Sequence, residues 1–89
     1  MRAIQTTAAF GSAVRRARKD SGLTQAELAA RAGVGRPWLS ELEGGKQRAE
    51  LGRVLAVVGA LDLALALIPA PTPDPGGIDL DRIIGDTTR

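Results

Sequence analysis

The chain has 89 residues and a mass of 9.2 kDa, room for one small domain with a short appendage and not for two independent cores. Hydrophobic residues make up 44% and charged residues 25%, which excludes a wholly disordered protein; without His or Cys, a structural zinc site, a thiol nucleophile, a disulfide framework and any Ser-His triad are also excluded. The net charge of +2 divides unevenly, with 10 Lys and Arg against 5 Asp and Glu in residues 1–53 (+5) and 2 Arg against 5 Asp in residues 54–89 (−3). Such polarity points to nucleic acid on one side and another partner on the other, although short chains also split this way by chance.

Met1–Thr7 lacks the basic and apolar regions of a secretory leader, and with no Cys the composition suits the cytosol. From Thr7 to Asp20 the pattern is helical, with Phe10, Ala13, Val14 and Ala17 at i, i+3, i+4 and i+7. Arg15, Arg16 and Lys19 fall on the other faces, and Ser21-Gly22 supplies a stop. A capping box, Thr24-Gln25-Ala26-Glu27, opens a second, short helix whose inner face is Leu28, Ala29 and Ala32; Gly33 ends it. Val34-Gly35 is a tight connection to a third helix over Arg36–Glu43, with Pro37 in its first turn and Val34, Leu39 and Leu42 inward. Gly44-Gly45 closes it.

A fourth helix is expected from about Glu50 to Leu61, with Leu51, Val54, Leu55, Val58 and Leu61 on one stripe. Leu63, Leu65 and Leu67 then alternate with Ala64 and Ala66, a period of two that argues for a strand ending at Ile68; the alternative is that the fourth helix runs on to Ile68. Val54–Ile68 is the most apolar stretch, but it contains Asp62 and falls short of the roughly 18–20 apolar residues of a bilayer span. Pro and Gly between Ala70 and Gly77 make an extended linker, followed by a tail in which Ile78, Leu80, Ile83 and Ile84 lie among Asp79, Asp81 and Asp86. The expected units are therefore 1–61, a helical domain; 62–69, a strand; and 70–89, a linker with an acidic tail.

Two short helices joined at Gly33, backed by a basic first helix, are the arrangement of a helix-turn-helix, although any small helical domain can contain a similar corner. Ala29 lets the helices cross closely, while Arg36, Pro37, Ser40 and Glu41 fall on the outer, N-terminal half of the third helix, where a major groove is read. Arg36 is the best base reader, because a guanidinium engages guanine O6 and N7 together; a phosphate contact is its alternative. Ser40 can donate or accept one turn on, and Pro37 either meets a thymine methyl or only starts the helix. Trp38 either packs or flanks the phosphate backbone. Thr24, Lys46, Arg48 and Arg15 are candidate phosphate contacts, with solvated surface charge as the alternative for the three cations.

Gly22-Leu23-Thr24-Gln25-Ala26-Glu27-Leu28-Ala29, Gly33-Val34 and Trp38-Leu39-Ser40-Glu41-Leu42-Glu43-Gly44-Gly45-Lys46 resemble the Xre/Cro-C1 family of helix-turn-helix proteins over residues 12–61. The layout of strand, Pro-rich linker and tail resembles the HipB-type antitoxins within it. This resemblance implies an all-α, lambda-repressor-like domain of four to five helices, with a C-terminal strand that pairs across a dimer and a flexible tail. It implies that Gln25 meets a backbone phosphate and the recognition helix, and that Arg18 and Glu43 form a partly buried bridge. Gly35 and Pro37 depart from the polar residues common in the family, which leaves the operator sequence open.

A lone edge strand leaves its backbone unpaired, and Leu63, Leu65, Leu67 and Ile68 have no other strand in the chain to join. Pairing with a second copy resolves this and sets two recognition helices about 34–36 Å apart for a palindrome. The expected function is an autoregulating repressor on double-stranded operator DNA that is also the antitoxin of a HipA-like Ser/Thr kinase. The alternatives are a stand-alone regulator without a toxin and an interaction module without base readout. No cofactor, metal, membrane or small-molecule substrate is expected, and no acid/base pair marks an enzyme. Ile78, Leu80, Ile83 and Ile84 either order on the toxin or belong to a solvated chain end.

Overall fold

A computed structural model describes residues 3–71 and folds them as α1 (Thr7–Asp20), α2 (Gln25–Ala32), α3 (Arg36–Glu43) and α4 (Leu51–Ala60). Each boundary has a local cause. The Thr6 hydroxyl accepts the Ala9 amide N–H at 3.0 Å to open α1. At α2 the capping box closes in both directions: Thr24 Oγ1 accepts the Glu27 N–H at 3.1 Å and Glu27 Oε1 accepts the Thr24 N–H at 2.8 Å. These bonds satisfy amide donors that the first turn of a helix leaves unpaired. Gly33 ends α2 at φ 74°, a left-handed conformation that costs a glycine little, and the Val34 N–H then returns to the Ala29 carbonyl at 3.0 Å.

α2 packs against both α3 and α4, and α1 packs against α3. The core between them comprises Val14, Leu28, Ala29, Leu39, Leu42, Val54, Val57, Val58 and Leu61, with Leu28, Leu39 and Val57 wholly enclosed. Phe10, Ala17, Leu23, Val34 and Trp38 flank it. The all-α expectation holds for the described residues, with four helices.

The expected stripe of α4 holds at Val54, Val58 and Leu61, which are buried, and is corrected at Leu51 and Leu55. Leu51 and Leu55 are 63% and 46% exposed, and Val57 takes the inner position instead. Both sets have helical spacing, so the packing of α2 on α4 selects between them.

Continuation of α4 to Ile68 is also overturned. Asp62 turns left-handed at φ 60°, one of the few non-glycine residue types that tolerate this, and the Leu63 N–H returns to the Val58 carbonyl at 3.1 Å. Residues 63–71 then run outside any helix or sheet of the single chain, with Leu63, Leu65, Leu67 and Ile68 exposed. Most of the Pro/Gly linker and all four tail candidates, Ile78, Leu80, Ile83 and Ile84, lie outside the described residues.

Gly11, within α1, is buried where the helix crosses the end of α3. A Cβ there would lie 2.5 Å from the Leu42 carbonyl oxygen and 2.6 Å from that of Glu43. The absence of a side chain lets the two backbones meet.

Candidate nucleic-acid interface

α3 is held by its inner face and free on its outer one. Leu39 and Leu42 are sealed in the core, which turns Arg36, Pro37, Ser40 and Glu41 outward, and all four are exposed. Positions i, i+1, i+4 and i+5 form a single strip along a helix, so the four share one surface. The turn at Gly33 and the buried Ala29, 3% exposed, set the angle at which this strip leaves the body of the domain.

A buried polar knot fixes the other end of α3. Arg18 of α1 donates Nε to Glu43 Oε2 at 2.7 Å and Nη2 to Oε1 at 3.0 Å, the paired geometry in which a guanidinium binds a carboxylate best. Its Nη1 donates to the Leu23 carbonyl at 2.9 Å, and Gln25 of α2 donates Nε2 to Glu43 Oε1 at 3.1 Å. Three helices therefore meet on one carboxylate.

Burial alone would raise the Glu43 pKa. The hydrogen bonds from Arg18 and Gln25, with the charges of Arg18 and Arg15, outweigh burial and hold it below the ordinary carboxylate value. The Glu43 hydrogen bonds raise the Arg18 pKa against its own desolvation. On the surface, Glu27 is held low mainly by its hydrogen bonds with Thr24.

Around this frame lie the remaining candidates. Thr24 and the half-buried Gln25 stand at the start of α2, while Arg15 and Arg48 are exposed. Lys46 is turned toward α3, where its Nζ donates to Glu41 Oε1 at 2.8 Å. Trp38 is half-buried against the core, and the Lys46 ammonium lies over its ring at 5.9 Å from the centroid. Arg53 of α4 lies at the same distance, 5.9 Å, from the same ring. Sequence reasoning missed Arg53; its only local signal is the i,i+3 spacing to Glu50, whose carboxylate it meets at 3.2 Å. Among the described residues no group of three potential ligands could hold a metal ion, and no helix is long and apolar enough to cross a membrane.

Known proteins share this fold. The profile of a helix-turn-helix domain family matches residues 9–70. An uncharacterized HTH-type transcriptional regulator of Sinorhizobium fredii, y4mF, is 42% identical over 65 residues, which are 73% of this chain and 86% of that protein. A solved HipB–O2 20mer complex superposes with a TM-score of 0.74 at 25% identity, covering 80% of this chain and 99% of the other. The restriction-modification controller protein C.AhdI from Aeromonas hydrophila superposes with a TM-score of 0.61 at 32% identity, covering 64% of this chain and 86% of that one. With an exposed strip on α3, a family profile over most of its length and a regulator as relative, the chain belongs to the Xre-type helix-turn-helix family of transcriptional regulators.

Proposed function

We propose that this regulator binds a palindromic operator as a homodimer, represses its own operon and acts as the antitoxin of a HipA-like Ser/Thr kinase in the bacterial cytoplasm, on the nucleoid. The observation that carries operator binding is the exposed strip Arg36, Pro37, Ser40 and Glu41 on a helix pinned by Leu39 and Leu42. In this reading the strip reads bases, and Thr24, Gln25, Trp38, Lys46, Arg15 and Arg48 hold the phosphate backbone. Arg36→Ala is expected to weaken operator binding by about 1–3 kcal/mol and to relax the base preference at one position, read by competition among single-substituted duplexes. Uniform weakening across all sequences would instead make Arg36 a phosphate contact.

Dimerisation is supported by the apolar side chains of Leu63, Leu65, Leu67 and Ile68, of which Leu67 is 102% exposed. A strand formed by two copies would pair their backbones and cover these side chains together. Truncation after Leu61 is expected to give monomers by light scattering, with much weaker operator binding. A truncated chain that remains dimeric and binds as tightly excludes this role for 62–69.

The antitoxin role rests on likeness to HipB, whose fold also occurs in a solved HipA–HipB–O2–O3 complex matched at 22% identity and a TM-score of 0.74. A stand-alone regulator is the second reading, favoured by higher identity to C.AhdI (32%) and to the clp gene regulator ClgR of C. glutamicum (34%). Against that, the HipB match takes in 80% of the chain and the C.AhdI match 64%, so the HipB likeness reaches further beyond the four helices. A kinase-like product of an adjacent reading frame that copurifies with this chain, through Ile78, Leu80, Ile83 and Ile84, decides for the antitoxin. Its absence decides for the stand-alone regulator.

A further inference from the structure

We propose that Trp38, Lys46 and Arg53 form a seat for the phosphate backbone of duplex DNA beside α3, and that Glu41 and Glu50 occupy its two cations while the protein is free. The inference rests on the DNA-binding reading and adds Arg53 and the two competing carboxylates to it. The three residues come from α3, the α3–α4 connection and the first turn of α4, and packing brings them to one ring. Trp38 lies partly in the core, so it offers a fixed surface to both cations, each within the roughly 6 Å at which an aromatic face attracts a positive charge. Two cations converging on one anchored ring leave only a small part of the usual side-chain ordering to be completed when an anion arrives.

Each cation also has an exposed acidic partner: Lys46 Nζ to Glu41 Oε1 at 2.8 Å and Arg53 Nε to Glu50 Oε1 at 3.2 Å. The Glu41 and Glu50 side chains are 64% and 72% exposed, so water screens both pairs and both are weak. A phosphodiester can displace them, because it releases counterions from the duplex and offers Arg53 two oxygens in the plane of its guanidinium. The carboxylates would then lie close to a phosphate and oppose it. Glu50, which is not part of the base-reading strip, acts as a built-in competitor that limits affinity for any duplex, whatever its sequence.

Trp38 is the sole tryptophan and the chain has no tyrosine, so intrinsic emission reports from the seat itself. The test titrates the full chain with a random-sequence DNA duplex over a range of salt concentrations, following Trp38 emission and its quenching by iodide. The expected results are a change in emission and shielding from iodide on binding. For Arg53→Gln and for Lys46→Gln, the slope of log affinity against log salt should be shallower by about one each. Glu50→Gln should bind about two- to fivefold more tightly, the range a screened charge pair allows. All three positions lie on the surface, and circular dichroism checks that each variant is folded. A steep wild-type slope that neither Arg53→Gln nor Lys46→Gln alters, with Trp38 emission unmoved, overturns the seat and leaves DNA binding standing. A wild-type chain with no salt-dependent duplex binding overturns both.

Discussion

Replacing Glu43 with alanine is expected to lower the unfolding free energy by about 3–5 kcal/mol, because it strands the Arg18 guanidinium in the interior. Arg18 is 8% exposed and Glu43 9%, and the carboxylate takes two bonds from Arg18 and one from Gln25. A domain of this size has only about 5–15 kcal/mol in total, so the variant sits near the edge of folding at 25 °C. The loss measures an unpaired charge rather than the net worth of the pair. Arg18→Met combined with Glu43→Leu is therefore expected to regain most of it, since an apolar pair needs no partner in the core. Urea unfolding of the single and double variants checks this, and a double variant no more stable than Glu43→Ala would mean that the bridge itself is strongly favourable.

The same bridge sets the acid limit. Because the folded Glu43 pKa lies below its unfolded value, the stabilisation is complete above about pH 4.3, the ordinary glutamate value, and drains as pH falls through the folded pKa. Glu27, held low by Thr24, adds to the loss in the same window. Arg18 contributes nothing on the alkaline side within reach, since its raised pKa is lost only above the ordinary arginine value. Urea unfolding free energy should thus decline as pH falls below the ordinary carboxylate range. In Glu43→Gln the decline should be shallower, with the Glu27 share remaining.

Gly11→Ala carries the second large expected effect, a loss of about 2–3 kcal/mol with α3 displaced. On propensity alone the change should help, since alanine is favoured over glycine inside a helix by about 0.5–1 kcal/mol. Packing reverses the sign. The new methyl would meet the carbonyl oxygens of Leu42 and Glu43 at 2.5 and 2.6 Å, and backbone cannot rotate away as a side chain can. α1 must retreat from the end of α3, which stretches the Arg18–Glu43 bridge and tilts the strip that carries Arg36 and Ser40. Operator affinity should fall even under conditions where the variant is folded. Thermal unfolding and duplex binding on the same sample check both effects, and a variant as stable as the parent would show that the crossing can open without cost.

Much of the domain was legible because its signals are local. Thr24 and Glu27 find each other three residues apart, Gly33 makes its own turn, and the alternation of Leu39 and Leu42 with Arg36 and Ser40 follows from 3.6 residues per turn. The boundaries of α1, α2 and α3 and the outward strip on α3 could be read from these alone. Where two local patterns competed, reading failed. Leu51 and Leu55 have the same spacing as Val54 and Val58, and only the docking of α2 on α4 sends Val57 inward. The run after Asp62 was ambiguous between helix and strand because Leu and Ala serve both, and the left-handed turn at Asp62 excluded the helix.

By itself, then, the sequence determined a basic helix-turn-helix with an outward strip on its third helix, since capping, turn chemistry and helical period act over a few residues of chain. Only the tertiary structure decided that Gly11 lies against the carbonyls at the end of α3, that one carboxylate ties three helices, and that Arg53 joins Lys46 over Trp38. These contacts join residues far apart in the chain, and no local preference encodes them. They exist because close packing of four short helices leaves one arrangement in which the apolar faces are covered and the buried charges are paired.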